Sequence, residues 1–590
     1  MTNSEIANIF EQIAEILEIK GENPFKIRAY SNASRVINSL GENISDISEE
    51  KNGLINIPGI GKDLSLKLKE LINTGHLVYY DELVKSIPQG ILELIKLRGL
   101  GPKKANMLYE TFHINGISDL YDAILSNKLS KMHGFGEKTI ENLKKSIEEY
   151  RIFNQRFLYI DALEQALAFV SYLKNTPYKL VCQIMIAGSL RRKMETVGDI
   201  DIVASVKEKD NKAFTERFFN YDKILRVEST GETKLSVVLK SGIHVDLRIV
   251  PDEDFVYALH HFTGSKLHNE ELRTLEKKSG YKINEYGIFK DEGAGNTSNK
   301  VKVTNEFEFY NVFGMQFIPP ELREGAGEIE AAVNHSIPEL IEEKDLQGVF
   351  HIHTTYTDGK DSLEEMVEAS LKSGYKYVGI SDHSVSAYYA NGLDRLNLKS
   401  QIEYIDRLND KYKGKIRIFK GIESDILTDG RLDYDDETLS MLDFVIASVH
   451  SKFNMPESLM TERIINAIKN PYTTMIGHLT GRLLLERKGY EVNISKILDY
   501  ASKYRTIIEL NANPKRLDID WRHIKEAISK SVLISINPDA HNVSSIYFVN
   551  YGVNIAKKGW ATKFDILNTR SVGDVLKIFK DIRYYKFKLK

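Results

Sequence analysis

The feature that most constrains the fold is a series of seven strand-like segments in residues 347–590, which alternate with helical stretches. Alternating strands and helices are typical of a parallel sheet or barrel, in which chemistry collects at the carboxyl ends of the strands. Almost every segment of this series ends in histidine, aspartate or glutamate. We therefore predict an α/β barrel with candidate metal ligands at one rim. The ligands are His351, His353, Asp358, His383, Glu423, His450, His478, Asp539 and His541.

The composition of this ligand set favours particular metals. Six neutral imidazoles and three carboxylates suit Mn²⁺, Zn²⁺ or Fe²⁺, and they suffice for three ions with open positions for water. The single cysteine, Cys182, cannot form an internal disulfide or build a thiolate zinc site, and its apolar neighbours indicate a core residue. One histidine at a strand end is more often a hydrogen-bonded core residue, but six such histidines are poorly explained in that way.

A carboxylate motif lies in the middle of the chain. Residues 184–206 read IMIAGSLRRKMETVGDIDIVASV, which predicts a strand, a Gly-Ser turn, a short basic helix and a second strand. Because side chains alternate along a strand, Asp199 and Asp201 project from one face. Two such anions at about 4 Å repel each other by roughly 4 kcal/mol at an effective dielectric of 20. A divalent cation would relieve this repulsion.

A third carboxylate lies on the predicted strand 242–250. If this strand pairs beside the first, Asp246 completes a cage for two Mg²⁺ or Mn²⁺ ions, the arrangement for in-line phosphoryl transfer. Asp246 would then orient or deprotonate the attacking hydroxyl, and Arg248 would restrain Asp201 when no substrate is bound. The alternative, a solvated strand edge, is common for an isolated Asp-x-Asp motif.

The turn before this strand predicts a phosphate site. Gly188 and Ser189 end one strand where a helix begins, so backbone donors and the helix dipole favour an anion there. Arg192 would complete a cradle for a triphosphate. Together with the distal aspartate strand, this turn favours nucleotide chemistry over a plain strand edge.

Three short segments in the first 150 residues repeat one design, in which Gly-x-Gly joins two helical patterns. The glycines permit a positive φ, the apolar residue between them anchors the turn, and the next helix directs free N–H groups outward. A phosphate fits such a turn. One copy is more often a simple helix boundary, but three copies favour a grip on a nucleic-acid backbone. The predicted contacts are Gly59, Gly61, Lys62, Gly99, Gly101, Lys103, Gly134 and Gly136.

These segments resemble helix-hairpin-helix motifs, which read backbone shape and often hold a monovalent cation, here K⁺ or Na⁺. The preceding residues 23–30, NPFKIRAY, resemble the start of the lyase domain of DNA polymerase beta relatives. The resemblance implies that Lys26 and Tyr30 hold a 5′-phosphate and that Lys67 is a Schiff-base lysine. Asp63 stands where relatives have a phosphate-binding lysine, and the alternative for Lys67 is a solvated helix residue.

The middle of the chain resembles the nucleotidyltransferase palm of family X DNA polymerases, and the resemblance covers residues 1 to about 320. Residues 261–269, HFTGSKLHN, resemble the turn under the incoming nucleotide, with His261 where animal relatives have tyrosine. Residues 282–289, KINEYGIF, fit the small thumb. The implied nucleotide contacts are Gly188, Ser189, Arg192, Gly198, Phe262, Gly264, Asn269 and Arg273.

In the last domain, the segments that carry the histidine pairs resemble the polymerase and histidinol phosphatase (PHP) domain. Val349 replaces an aspartate of the first motif that is not generally a ligand. The resemblance implies up to three Mn²⁺ or Zn²⁺ ions and a Mn²⁺-dependent 3′-5′ exonuclease, with 3′-phosphatase or abasic-site cleavage as further activities. Arg482 or Lys452 would grip the scissile phosphate.

The predicted fold is multidomain, because 590 residues exceed what one hydrophobic core supports. We expect a helical helix-hairpin-helix region, an α+β palm and thumb, and a distorted β/α barrel. The predicted boundaries are 1–80 for a lyase-like domain, 81–150 for a fingers-like region, 151–252 for the palm, 253–320 for the thumb, 321–346 for a linker and 347–590 for the PHP domain.

The sequence thus predicts a DNA polymerase that fills short gaps in base excision repair, with an editing nuclease. Its partners would be gapped or primed double-stranded DNA and deoxynucleoside triphosphates. Long apolar runs and a signal peptide are absent, so we expect a cytoplasmic monomer. Two alternatives remain open for the PHP domain, a structural role or hydrolysis of a small phosphate ester such as pyrophosphate. A non-enzymatic scaffold for DNA ends is a third reading.

Overall fold

The computed structural model describes residues 3–39, 44, 48, 53–57, 59–95, 97, 99–132, 134–154, 156–176, 180–291 and 297–589. The chain divides into two compact units, residues 1–155 and 156–590. The finer boundaries given above remain predictions. None of the helices in the described part of the chain combines the length and apolar character that crossing a lipid bilayer requires.

The first unit is helical and has two apolar clusters, one within residues 6–83 and one mainly within residues 91–147. The middle residue of each Gly-x-Gly turn, Ile60, Leu100 and Phe135, is buried in these clusters. The turns are therefore anchored as predicted. Among the described residues of this unit, the α-helices are Asn3–Ile19, Pro24–Ser39, Gly53–Asn56, Lys62–Thr74, Val78–Lys85, Gln89–Leu94, Pro102–Phe112, Ile117–Leu125 and Glu137–Asn154.

The palm is a five-stranded sheet in the second unit. The strand that carries Asp199 and Asp201 pairs in parallel with the strand that carries Asp246, while the other neighbours are antiparallel. Helices Tyr159–Lys174 and Asn211–Phe219 cover one face with aromatic and aliphatic side chains. In spatial order the strands are Gln183–Ile186, Asp199–Ser205, His244–Val250, Lys234–Leu239 and Ile224–Thr230.

The thumb follows as helices and a small antiparallel sheet that share one apolar core. The segment 321–346, which the sequence predicts as a linker, contributes to this core. Its helix Glu328–Val333 packs there through Ile329 and Ala332. The elements before it are helices Phe255–Thr263, Lys266–Lys278 and Glu306–Asn311 and strands Tyr281–Asn284, Gly287–Asp291 and Thr297–Val301.

The last domain is the predicted distorted barrel. Its parallel strands form two sheets, one of three and one of five strands. Parallel bridges join these sheets between Ile352 and Ala540 and between His383 and Glu423. The barrel strands are Gly348–Ile352, Tyr377–Ile380, Arg417–Lys420, Glu423–Asp425, Ile446–Ser448, Met475–Ile476, Ile507–Asn511 and Ile534–Asn537. The helices of the barrel are Leu363–Lys372, Arg395–Lys411, Asp436–Ser440, Glu457–Lys469, Ile494–Tyr504, Trp521–Ser529 and Val549–Lys558.

The C-terminal helix Val572–Leu589 closes the amino-terminal end of the barrel, where Phe579 packs against Phe350, Phe419 and Phe444. Apolar packing at this end leaves the opposite rim free for polar groups.

Candidate active sites

The three palm carboxylates lie on neighbouring strands. Asp201 stands directly opposite Asp246 in the parallel register, and Asp199 stands opposite His244. Ile200 and Ile202 are buried on the other face, as the period of the strand requires.

The pKa values of these carboxylates are shifted by their burial and mutual proximity. Burial, followed by repulsion from Asp199 and Asp246, raises the pKa of Asp201 to about 7. Burial and Asp246 likewise raise the pKa of Asp199. Such crowded carboxylates, which favour uptake of a cation, fit a site for divalent ions.

Arg248 was expected to restrain Asp201, but its guanidinium lies over the ring of Phe262, 4.8 Å from the ring centroid. Its positive charge only partly offsets the rise in the pKa of Asp201. Lys234 forms the ion pair, with its Nζ 2.9 Å from Oδ2 of Asp246. The sequence analysis did not single out Lys234, because the antiparallel register between its strand and the Asp246 strand was not predicted.

Gly188 is required where it stands. Its φ is +60°, and an added Cβ would lie 1.9 Å from Oδ2 of Asp201. The glycine therefore lets the carboxylate lie against the backbone of the turn.

A cleft of about 420 Å³ opens beside these groups. Seven of the eight predicted nucleotide contacts line it, the exception being Gly198, which directly precedes Asp199. Two predicted catalytic aspartates line it as well. Together, the predicted site residues that line the cleft are Gly188, Ser189, Arg192, Asp199, Asp201, Phe262, Gly264, Asn269 and Arg273.

Arg192 is held in this cleft by distant parts of the second unit. Its Nε donates to Oε1 of Glu324 at 3.0 Å, and its Nη1 donates to the carbonyl of Thr263. Lys558, buried in the barrel domain, pairs with Glu324 and donates to the Arg192 carbonyl at 3.0 Å. The barrel domain thus contacts the residue predicted to hold the triphosphate.

A buried ion-pair network stands behind the cleft. Glu306 accepts from Arg191 and Arg323, and Arg191 also donates to Oγ1 of Thr263 at 2.7 Å. Burial alone would raise the pKa of Glu306, but the two guanidinium groups outweigh it and lower the pKa to about 2. The carboxylate therefore stays charged and ties the thumb to the palm helix.

In the barrel, the nine predicted ligands meet at the carboxyl ends of the strands. His478 lies beside three clusters, with its Nε2 3.0 Å from Oε1 of Glu423. The clusters that could each hold an ion are His353, Asp358, His383 and His541; His351, His353 and Asp539; and His383, Glu423 and His450.

Several of these buried groups form no hydrogen bond within the part of the chain that the structure describes. They are Nε2 of His351 and both ring nitrogens of His353. The nearest carboxylate oxygens lie 3.3 Å from Nε2 of each histidine and 3.7 Å from Nδ1 of His353. Unpaired buried polar atoms are costly, and coordination to a cation would satisfy them. The residues therefore fit a metal centre.

The protonation of the cluster is divided. Burial, with His541 and His383 nearby, lowers the pKa of His353 to about 3. His353, which belongs to two of the clusters, is therefore a neutral imidazole that can coordinate a metal ion. Burial alone would lower the pKa of His450, but Glu423 and Asp425 raise it to about 10. Burial alone would raise the pKa of Glu423, but the surrounding imidazoles hold it well below its usual range.

Carboxylates outside the predicted set orient the ligands. Oε1 of Glu509 lies 2.5 Å from Nδ1 of His351, and Oδ1 of Asp425 lies 2.5 Å from Nδ1 of His450. Glu509 lies within strand Ile507–Asn511 and Asp425 ends strand Glu423–Asp425, so an acidic residue on a barrel strand was the available signal. Asp382 is buried and accepts from Thr354.

The predicted phosphate grip by Arg482 has a competing partner. Arg482 donates to Oδ2 of Asp520 at 2.5 Å and to the carbonyl of Arg516 at 2.9 Å. Arg516 itself lies closer to the ligands, with its Nε 3.4 Å from Oδ2 of Asp539. A phosphate contact of Lys452, two residues after His450, stays a prediction.

The structure brings Lys26, Tyr30 and Lys67 together in the first unit. Nζ of Lys67 is 5.5 Å from the ring centroid of Tyr30 and 4.8 Å from that of Tyr79, and Lys26 lies over Tyr79 at 5.3 Å. Nζ of Lys67 also lies 2.6 Å from Oδ2 of Asp63. Burial would lower the pKa of Lys67, but Asp63 and Tyr30 outweigh it and raise the pKa.

The Gly-x-Gly turns have the predicted geometry. Gly59, Gly99 and Gly134 have φ values of 88°, 90° and 87°. Gly61 and Gly101 begin the next helices without a side-chain cap, so backbone N–H groups at these helix starts remain available to a ligand.

Four family descriptions match parts of the chain. A helix-hairpin-helix domain matches residues 1–77, and a SAM-like helix-hairpin-helix tandem matches residues 91–149. The DNA polymerase beta thumb matches residues 258–324, and the PHP domain matches residues 350–513.

Whole proteins extend this picture. The chain is 39% identical over 578 residues to DNA polymerase/3′-5′ exonuclease PolX of Bacillus subtilis, covering 98% of this chain and 99% of the relative. It is 26% identical to rat DNA polymerase lambda over 48% of this chain and 49% of the relative. It is 30% identical to a probable phosphatase of Thermoanaerobacter sp. over 39% of this chain and 93% of the relative.

Proposed function

Because the chain belongs to the family X DNA polymerases that carry a C-terminal PHP domain, we propose that it extends primer ends in gapped DNA and removes nucleotides from 3′ ends. The two activities belong to two different metal sites of the second unit. The Bacillus subtilis relative bears the names of both activities.

The observation that carries the synthetic activity is the register that sets Asp201 opposite Asp246, beside the Gly188 turn. Asp199, Asp201 and Asp246 would hold two Mg²⁺ or Mn²⁺ ions. Bound there, the ions supply charge stabilisation for in-line nucleotidyl transfer.

The residues of the chain supply orientation. Arg192 and the turn amides bind the triphosphate, while Phe262 and Gly264 pack against the deoxyribose. Asn269 faces the base. Asp246 orients the primer 3′-hydroxyl and accepts its proton, which requires Lys234 to release the carboxylate that it binds.

The barrel site supports the degradative activity. Its nine ligands would hold up to three Mn²⁺ or Zn²⁺ ions, which supply a nucleophile from water and polarise the phosphate. Glu509 and Asp425 fix the rings of His351 and His450, and Arg516 is placed to bind the phosphodiester. The same groups would serve 3′-phosphatase or abasic-site cleavage.

The first unit would clamp duplex DNA through its Gly-x-Gly turns, with K⁺ or Na⁺ on their carbonyls. For the lyase reaction, Lys67 is a poor nucleophile at neutral pH, because its raised pKa keeps the amine protonated. We keep gap filling in base excision repair, by a cytoplasmic monomer, as the proposed setting.

The test uses a duplex with a one-nucleotide gap, incubated with Mg²⁺ or Mn²⁺, with and without nucleotides. Asp199→Ala should abolish extension and retain Mn²⁺-dependent 3′ degradation. His353→Ala should do the reverse, because its ring belongs to two of the three barrel clusters.

Several outcomes distinguish the alternatives. Degradation that survives in His353→Ala rejects the nuclease assignment. Hydrolysis of pyrophosphate without DNA degradation supports the phosphate-ester reading, which the similarity to a probable phosphatase favours. DNA binding without either reaction would support the third reading, a non-enzymatic scaffold for DNA ends.

A further inference from the structure

Two adjacent tyrosines stand exposed beside the barrel site. Tyr388 and Tyr389 are 84% and 67% exposed, in a short turn that follows the ligand His383. Large aromatic rings are normally well buried, and exposed ones often mark a contact surface.

The turn holds these rings outward. Ala387 and Ala390, on either side of the pair, are fully buried. The backbone N–H of Ser386 donates to Oδ2 of Asp433 at 2.7 Å, and that of Leu393 donates to the His383 carbonyl at 2.9 Å. The exposure of the tyrosines is therefore a property of an anchored loop.

Tyr389 lies at the mouth of the metal cluster. Its ring centroid is 5.7 Å from that of His383 and 6.1 Å from that of His450. Both contacts are edge-on, with interplanar angles of 66° and 70°. One part of the ring thus reaches the ligands, while most of it faces solvent.

We propose that Tyr389 is the stacking surface for the terminal base of a single-stranded 3′ end whose phosphodiester lies over the barrel ligands, and that Tyr388 receives the next base. This inference rests on the nuclease activity proposed above. Bases of every kind have a flat face, so such a platform binds DNA ends without sequence preference.

The chemistry of the tyrosines also separates substrate classes. Pyrophosphate and small aliphatic phosphate esters carry nothing that could stack on a ring, so they gain no binding from Tyr389. A terminal nucleotide gains from both the metal ligands and the platform. The natural substrate of the barrel is accordingly a nucleic-acid end.

The test compares two single-stranded oligonucleotides in Mn²⁺ with the full chain. One ends in thymidine, and the other ends in a base-less tetrahydrofuran residue on the same 3′ phosphodiester. The wild-type chain should prefer the base-bearing end by roughly tenfold to a hundredfold in kcat/KM for the first cleavage. Tyr389→Leu should bring this ratio close to one, and Tyr389→Phe should keep it.

The control is Tyr584→Leu, which removes a 62% exposed tyrosine from the C-terminal helix and should leave the ratio unchanged. A base-less residue at the penultimate position tests Tyr388 with Tyr388→Leu in the same way. A wild-type ratio near one, or a ratio that Tyr389→Leu leaves intact, overturns the platform. Failure of the wild-type chain to degrade either oligonucleotide instead overturns the nuclease assignment itself.

Discussion

The palm site and the barrel site balance charge in opposite ways. In the palm, carboxylates crowd together, and burial with mutual repulsion raises the pKa of Asp201 to about 7. In the barrel, carboxylates lie among imidazoles, so the pKa of Glu423 falls while that of His450 rises to about 10. The palm relieves its repulsion by taking up a cation or a proton, whereas the barrel already pairs its charges.

This difference teaches where each site is vulnerable. The palm depends on the absence of a side chain at Gly188, which lets the carboxylate of Asp201 lie against the backbone of the turn. The barrel depends on supporting groups that hold rings in place, and three of its ligands, His351, His478 and Asp539, adopt positive φ values of 60°, 21° and 52°. Such backbone conformations persist only where the surroundings impose them.

The largest effect should come from filling the space in the palm. Gly188→Ala places a methyl group 1.9 Å from Oδ2 of Asp201, so the carboxylate must move. A displacement of about 1 Å can cost about a hundredfold in rate. We expect at least that loss in kcat/KM for single-nucleotide extension, with 3′ degradation retained.

Gly314→Ala is the matched control, because Gly314 has a similar positive φ of 66° and its new methyl group would enter open space. Its extension rate should change by a few-fold at most. An equal loss in both variants would show that backbone strain, and not the approach to Asp201, explains the loss.

An intermediate effect should come from the barrel support. Glu509→Gln removes the charge beside Nδ1 of His351 and keeps the shape of the side chain. Loss of such a supporting partner typically weakens metal affinity by about 10- to 100-fold. Titration of Mn²⁺ against 3′ degradation should show this shift, with extension unaffected.

The partly exposed ion pair between Glu526 and Lys530 provides a comparison, since Glu526→Gln should not shift the titration. If Glu509→Gln binds Mn²⁺ as tightly as the wild-type chain, the barrel does not depend on this carboxylate.

The smallest effect should come from the contact between Lys558 of the barrel domain and the Arg192 side of the palm cleft. Lys558→Met removes the barrel ammonium that binds Glu324 and the Arg192 carbonyl. A lost hydrogen bond to a charged group is worth roughly 1.5 kcal/mol, or about tenfold. We expect KM for the incoming nucleotide to rise by about three- to tenfold, with a smaller change in kcat.

Lys557→Met serves as the neighbouring control, because Lys557 pairs with Glu342 and not with the cleft. A similar rise in KM in both variants would mean that the helix as a whole, and not the Lys558 ammonium, supports the nucleotide site.

Local patterns predicted much of this molecule. The period of a strand set Asp199 and Asp201 on one face, and three glycines before helices predicted positive φ, which Gly59, Gly99 and Gly134 adopt. Alternating strands and helices predicted a barrel rim that gathers the histidines. Each of these inferences rested on local periodicity, which in the barrel repeats over residues 347–590.

Contacts between distant segments were not predictable in this way. Lys558 and Arg192 are 366 residues apart, and neither sequence neighbourhood names the other. The same holds for the contact of Arg482 with Asp520, 38 residues further along the chain. A charged side chain can pair with many partners, and packing decides which one it meets.

The sequence by itself determined the chemistry of this protein, since the ligand types, their spacing on strands and the glycine turns specify what each site can bind. The tertiary structure alone decided which charges cancel, which arginine lies near the barrel ligands, and that Lys558 of the barrel contacts Glu324 and the Arg192 carbonyl beside the cleft. The physical reason is range, because backbone periodicity acts over a few residues, whereas electrostatic partners are chosen by the packing of whole domains.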